Sequence, residues 1–120
     1  MEFKYCGKNA KEAEDIGKVY VFLRAISDPN RLKIMCVLRS GSKCVCDIVS
    51  AIGISDKLAS HHLKQLKKIG VLTEKREGNF IHYGLNNEII GNHKEMFNKI
   101  IKNIWSLISF NVLPFQKNGG

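Results

Sequence analysis

The chain has 120 residues, 44% of them hydrophobic, which suits one compact domain, leaves little room for a second and makes self-association a reasonable expectation. Its 19 Lys and Arg against 11 Asp and Glu give a formal charge of +8, which favours a polyanionic partner, nucleic acid before an anionic membrane surface. The first 15 residues lack the apolar run of a secretory signal, and Lys102, Asn103, Asn111 and Pro114 interrupt the apolar stretch 100–115, so no membrane span is expected and the location reads as cytoplasmic.

An N-terminal arm, 1–9, is expected to precede a domain over 10–110, with a tail over 111–120. Ala13, Ile16, Val19 or Tyr20, and Leu23 recur at helical spacing and predict a first helix over 10–25. Asp28 can cap the next helix and Pro29 occupies its first position, where no N–H is required. That helix runs to residue 38, with Leu32, Met35, Cys36 and Arg39 as its successive steps. A third helix covers 44–52 and stops at Gly53. A fourth, over 55–69, starts on the cap Ser55, carries Leu58, Ala59, His62, Leu63, Leu66 and Ile69 on its apolar side, and closes at Gly70. Two short helices joined by a Gly-containing turn form a helix-turn-helix. The period then changes to two over 71–76 and 80–85, around a turn at 77–79, which predicts a hairpin packed on the helices as a wing. A last helix spans 87–110, with Ile90, His93, Phe97, Ile100 or Ile101, Ile104 and Ile108 as its main stripe. The fold class is therefore mainly α (α+β), a winged helix-turn-helix in the order α-α-α-α-β-β-α.

The apolar side of the 55–69 helix fixes which residues point outward. A major groove admits one helix whose exposed N-terminal residues reach base edges. Ser60, His61 and Gln65 can hydrogen-bond to bases, while Lys57, Lys64 and Lys68 can neutralise phosphates. Ser55 can both cap the helix and face a phosphate, and the hairpin adds Lys75 and Arg76. The plainer reading, a solvated lysine face, fits an isolated helix. The capped helix before it and the basic hairpin after it favour double-stranded DNA. His62 lies between the two sides and reads as a packed, hydrogen-bonded structural histidine rather than a ligand.

Cys44-Val45-Cys46-Asp47 is the segment with most chemistry. Four cysteines in a reducing compartment read as thiols or metal ligands rather than a disulfide framework. Residues two apart on a regular helix point about 200° from each other. Two thiolates there can meet one ion only if the first turn unwinds. Soft thiolates select Cd, Pb, Zn, Cu(I) or trivalent arsenic-group ions. Cys36, among Ile34, Met35, Val37 and Leu38, reads as a small buried hydrophobe.

The segments LRAISDPNRLKIMCVL and CVCDIVSAIGISDKLASHHLKQLKKIGVLTEKREGNFIHYGL resemble the ArsR/SmtB family of metal- and metalloid-responsive repressors over 23–85. The run from Ser60 to Leu66 and the Arg76-Glu77-Gly78 wing carry the likeness most specifically. Leu58 departs from it, standing where a small polar residue often faces DNA, and so does Asn79, where a wing-tip Arg or Lys is common. The resemblance implies a homodimer formed through the first and last helices, reading a two-fold symmetric operator. It also implies that the Cys-Val-Cys segment belongs to an arsenic- or cadmium/lead-type sensor completed by a third cysteine. Val49 occupies one place for that cysteine, and Cys6 in the arm fits the other, which gives a metal set of Cys44, Cys46 and Cys6. A persulfide-sensing pair would need a partner for Cys36 in the last helix, where there is none. A zinc site between last helices would need more than Glu88, His93 and Glu95, and is expected to be absent; His93 is expected in the dimer interface.

The expected effector is a thiophilic metal or metalloid, As(III)/Sb(III), Cd, Pb or Zn, that releases a repressor from its operator. Two other functions compete, a thiol redox-sensing repressor and a DNA-binding regulator that needs no ligand. An enzyme is not expected, since no Gly-rich phosphate loop and no nucleophile paired with a base is present, and neither a membrane nor a small organic substrate is an expected partner.

Overall fold

The computed structural model describes residues 3–4 and 6–111, with side chains described as far as residue 106. Eight elements follow in order: α1 (Ala10–Ile26), α2 (Pro29–Leu38), β1 (Lys43–Cys44), α3 (Val45–Ile52), α4 (Asp56–Lys68), β2 (Leu72–Glu77), β3 (Phe80–Leu85) and α5 (Asn87–Asn111). All five predicted helices and both hairpin strands are present. The addition is β1, which pairs antiparallel with β3 and makes β3 the middle strand of a three-stranded sheet. The predicted tail beyond Asn111 and the side chain of Ile108 lie outside the described residues.

Local chemistry sets the boundaries. Asp28 Oδ1 accepts the N–H groups of Asn30 (2.9 Å) and Arg31 (3.2 Å), with Pro29 at the first helical position of α2. Ser55 Oγ accepts the Leu58 N–H at 3.1 Å and starts α4. Gly53 ends α3 at φ 77°, and Gly70 follows α4 at φ 83°, conformations that penalise any side chain with a Cβ. After Gly70, the Val71 N–H reaches the Leu66 carbonyl and the Gly70 N–H that of Lys67, a Schellman closure that turns the chain into the wing. Glu77 pairs with Phe80, so the hairpin loop is Gly78-Asn79 alone, with Gly78 at φ 62°.

The core is Phe22, Ile34, Leu38, Ile48, Leu63, Leu66, Val71 and Leu72. It takes one face from each of the first four helices and the base of the wing. Truncating any of these side chains to Ala costs about 2–5 kcal/mol. Three expectations are corrected here. The buried side of α1 is Val19, Phe22 and Ala25, and Leu23 faces outward. In α2, Ile34 and Leu38 are buried, whereas Leu32 and Cys36 are exposed, so Cys36 is not a core residue. Apolar residues occur all round that helix, and periodicity alone could not choose its inner side. Leu58 likewise faces outward, at 39% exposure, while Ala59, His62, Leu63 and Leu66 turn inward.

Candidate nucleic-acid interface and thiol site

The predicted DNA-contacting residues lie on α4, on its N-cap and on β2 of the wing, where the adjacent Lys75 and Arg76 point to opposite faces of the sheet. Lys57, Ser60, His61, Lys64 and Lys68 are exposed on α4, Gln65 is half-buried, and Ser55 is the exposed N-cap. Lys75 and Arg76 are exposed on β2, where Lys75 Nζ lies 3.5 Å from Glu77 Oε1. Lys67 is turned aside from this set: it donates to Glu74 on β2, and the Tyr83 hydroxyl donates to the same carboxylate at 3.0 Å. The bonds from Lys67 and Tyr83 hold the Glu74 carboxyl below the usual carboxylate range. Glu74 thus joins the C-terminal turn of α4 to both long strands, a tie visible only once strand register is known.

Behind the exposed side of α4, His62 is 5% exposed and its Nδ1 accepts from Arg31 Nε at 3.3 Å. Arg31 also donates to the Ala25 carbonyl, and Asp28 Oδ1 lies 3.9 Å from His62 Nε2. His62 therefore fastens α4 to the start of α2, as a structural histidine does. Burial lowers its pKa; the charges of Arg31 and His61 act with burial and that of Asp28 against it. His93 lies on Phe22 with ring centroids 4.5 Å apart, and its buried Nδ1 has no hydrogen-bond partner among the described residues. Burial, followed by the charge of Lys18, lowers the His93 pKa.

The thiol segment differs from the expectation of opposed side chains. Cys44 is the N-cap of α3, with extended backbone at φ −73° and ψ 163°, and its sulfur accepts the Asp47 N–H at 3.4 Å. Only Cys46 is on the helix. The 200° opposition of helical neighbours therefore does not apply, and the two sulfurs meet without unwinding α3. They are joined as a disulfide, which corrects the expectation of free thiols for this pair; Cys6 and Cys36 are free and exposed. Among the described residues, the ligand atoms of Cys44, Cys46 and Asp47 lie within 4.8 Å of one another, whereas Cys6 of the same chain is not in that group. Asp47 is absent from the predicted ligand set, although its position three residues after the cap was the available signal. Two sulfurs and one carboxylate fit a thiophilic ion once the disulfide is reduced. Cys44 also pairs with His82 on β3, so the segment opens α3 and edges the wing sheet at once.

Residues 28–74 match the family described as bacterial regulatory protein, arsR family. The chain is 41% identical over 75 residues to the cadmium resistance transcriptional regulatory protein CadC homolog of Staphylococcus aureus, covering 62% of this chain and 60% of that relative. It is 39% identical over 83 residues to CadC of Listeria innocua, covering 68% of this chain and 70% of that protein. To the transcriptional repressor SdpR of Bacillus subtilis it is 42% identical over 67 residues, or 56% and 74% of the two chains. Among solved structures, reduced HlyU from Vibrio cholerae superposes with a TM-score of 0.64 at 23% identity, covering 75% of this chain and 96% of that one. The homodimeric winged helix-turn-helix DNA-binding domain Mb0332 of Mycobacterium bovis gives 0.63 at 23% identity, covering 91% and 98%. With its winged helix-turn-helix fold and these curated relatives, each named as a regulator or repressor of transcription and none as an enzyme, the chain belongs to the arsR family of bacterial regulatory proteins.

Proposed function

We propose that this protein is a homodimeric repressor that leaves a two-fold symmetric operator when a thiophilic metal or metalloid binds at Cys44 and Cys46. The observation that carries the reading is the convergence of two sulfurs and the Asp47 carboxylate at the start of α3, the first helix of the helix-turn-helix. The relatives named for cadmium resistance support a soft-ion effector of the class As(III)/Sb(III), Cd, Pb or Zn. An ion held there changes the cap of α3 and the β1–β3 ladder together. A ligand that prefers one arrangement of these elements shifts the equilibrium between DNA-binding and released forms. Cys6 remains the third sulfur in this proposal, supplied by the partner subunit, since Cys6 of the same chain is not grouped with the pair. The DNA contacts are Ser55, Lys57, Ser60, His61, Lys64, Gln65, Lys68, Lys75 and Arg76.

The test is an anaerobic titration of the reduced protein with Cd(II), Pb(II) and arsenite, following the ultraviolet thiolate-to-metal band and binding to a selected DNA duplex. The band and DNA release are expected together. Both should vanish in the Cys44→Ser, Cys46→Ser double variant, and Cys6→Ser should weaken the band by one sulfur's share. A protein that binds no ion under these conditions overturns the reading.

The disulfide favours a second reading, a thiol redox switch. Closing the bond removes two electrons and two protons from the dithiol, which an oxidant such as diamide accepts. If diamide abolishes DNA binding while metals leave it unchanged, this second reading replaces the first.

A further inference from the structure

Leu58 is the one exposed apolar side chain of α4; its other exposed residues are Asp56, Lys57, Ser60, His61, Lys64, Lys67 and Lys68. At 100° per residue, position 58 falls on the same flank as positions 61 and 65, and a seven-residue step returns within about 20°. Leu58, His61 and Gln65 therefore form one stripe beside the lysines. The stripe begins at the N-terminal end of the helix, the end that reaches base edges in helix-turn-helix proteins. The Leu58 backbone is also held in place, because Ser55 Oγ accepts its N–H at 3.1 Å in the first turn. It covers no part of the core, as the inward side is complete with Ala59, His62, Leu63 and Leu66.

A leucine side chain neither donates nor accepts a hydrogen bond, so it can read a base edge only by apolar contact. In the major groove the base edges offer one apolar group, the C5 methyl of thymine. We propose that Leu58 is a specificity-determining residue that packs on a thymine methyl in each half-site. This rests on the assignment of α4 as the DNA-reading helix. Contact removes both the exposed leucine surface and the methyl from water, whereas other bases at that step leave the leucine against polar edges. His61 and Gln65 then read neighbouring bases by hydrogen bonds along the same flank.

The test uses the full reduced chain and a duplex selected from a randomised pool. Each thymine is replaced in turn by deoxyuridine, which deletes the methyl and leaves every hydrogen-bonding group in place. One position per half-site is expected to weaken wild-type binding about fourfold, the worth of one buried methyl. The same replacement should no longer weaken binding by Leu58→Ala, whose unfolding midpoint should match the parent's because the side chain is outside the core. A flat uridine scan on a tightly bound duplex, or a loss that persists in Leu58→Ala, overturns the proposal and leaves the assignment of α4 standing. Failure to enrich any duplex overturns both.

Discussion

A histidine on the inward side of a basic helix is tolerable only while neutral, and His62 is held so from several directions. Its ring is nearly buried, its Nδ1 accepts from the permanently charged Arg31, and His61 meets it edge-on with centroids 5.4 Å apart. Asp28, the neighbour favouring a proton, is also committed to capping α2. Its pKa ends lowered, since the backbone N–H groups of Arg31 and Asn30 and the charges of His62 and Arg31 outweigh the burial that would raise it. Burial dominates at His62, so the folded pKa lies below the unfolded value of about 6.5, as it does at His93. Below that pH the unfolded chain takes up protons that the native histidines refuse. Stability is therefore complete above about pH 7 and falls as the pH drops through 6.5. Urea midpoints measured from pH 7.5 to 5.5 should decline for the parent and less steeply for His93→Gln, which keeps an amide in place of the ring. A His62→Ala change should cost about 2–4 kcal/mol at pH 7.5, through the cavity and the lost tie to Arg31. A midpoint independent of pH in the parent would contradict this account of both histidines.

Between the elements, the clearest polar tie joins α4 to the wing through Lys67, Glu74 and Tyr83. Its contribution to folding is at most about 1 kcal/mol, because the pair is partly solvated. The tie also bears on orientation, since the strand that carries Glu74 goes on to Lys75 and Arg76. Glu74→Ala removes a negative charge from the surface proposed to face DNA and frees Lys67, and electrostatics alone would strengthen binding. If the tie aims the wing, binding to a selected duplex should instead weaken by about fivefold, equivalent to one hydrogen bond of average strength. Stronger binding by the variant would show that Glu74 only masks charge. Caps and turns were legible in the sequence because their causes are local: Asp28-Pro29, Ser55, Gly53 and Gly70 each act within a few residues. The Glu74 tie and the strand β1 were not, because both depend on register between distant segments. Two residues of β1 carry no period of their own and become a strand only against His82 and Tyr83. The outward turn of Leu58 and Cys36 was hidden for another reason: apolar type does not fix side when a helix has more apolar residues than its core face can hold. At the thiol pair, the sequence located the sulfurs, and a one-residue shift of the helix start decided that they converge.

The isolated chain leaves a broad apolar surface in water. Val21 on α1 and Phe97, Ile101, Ile104 and Trp105 on α5 are 37–50% exposed, although α1 and α5 pack against each other. On α5 these positions recur at i, i+4, i+7 and i+8, one continuous stripe. A chain of 13.6 kDa seldom leaves such a stripe uncovered, and a second copy presenting the same stripe covers both. Two reading helices held by one interface would then engage two half-sites together, so that each increases the effective concentration of the other. A charge in a two-fold interface enters twice. Ile101→Glu or Ile104→Glu should therefore repel its own copy and bring the sedimentation mass from twice 13.6 kDa down to 13.6 kDa. The control is Leu32→Glu, a position 49% exposed on α2 and outside both stripes, which should leave the mass unchanged. Affinity for a duplex with two half-sites should fall by about a hundredfold in the monomeric variants, while affinity for a single half-site should hold. A parent that sediments at 13.6 kDa at micromolar concentration, or an Ile101→Glu protein that stays at twice that mass, would place the dimer elsewhere and leave the α1–α5 surface for another partner.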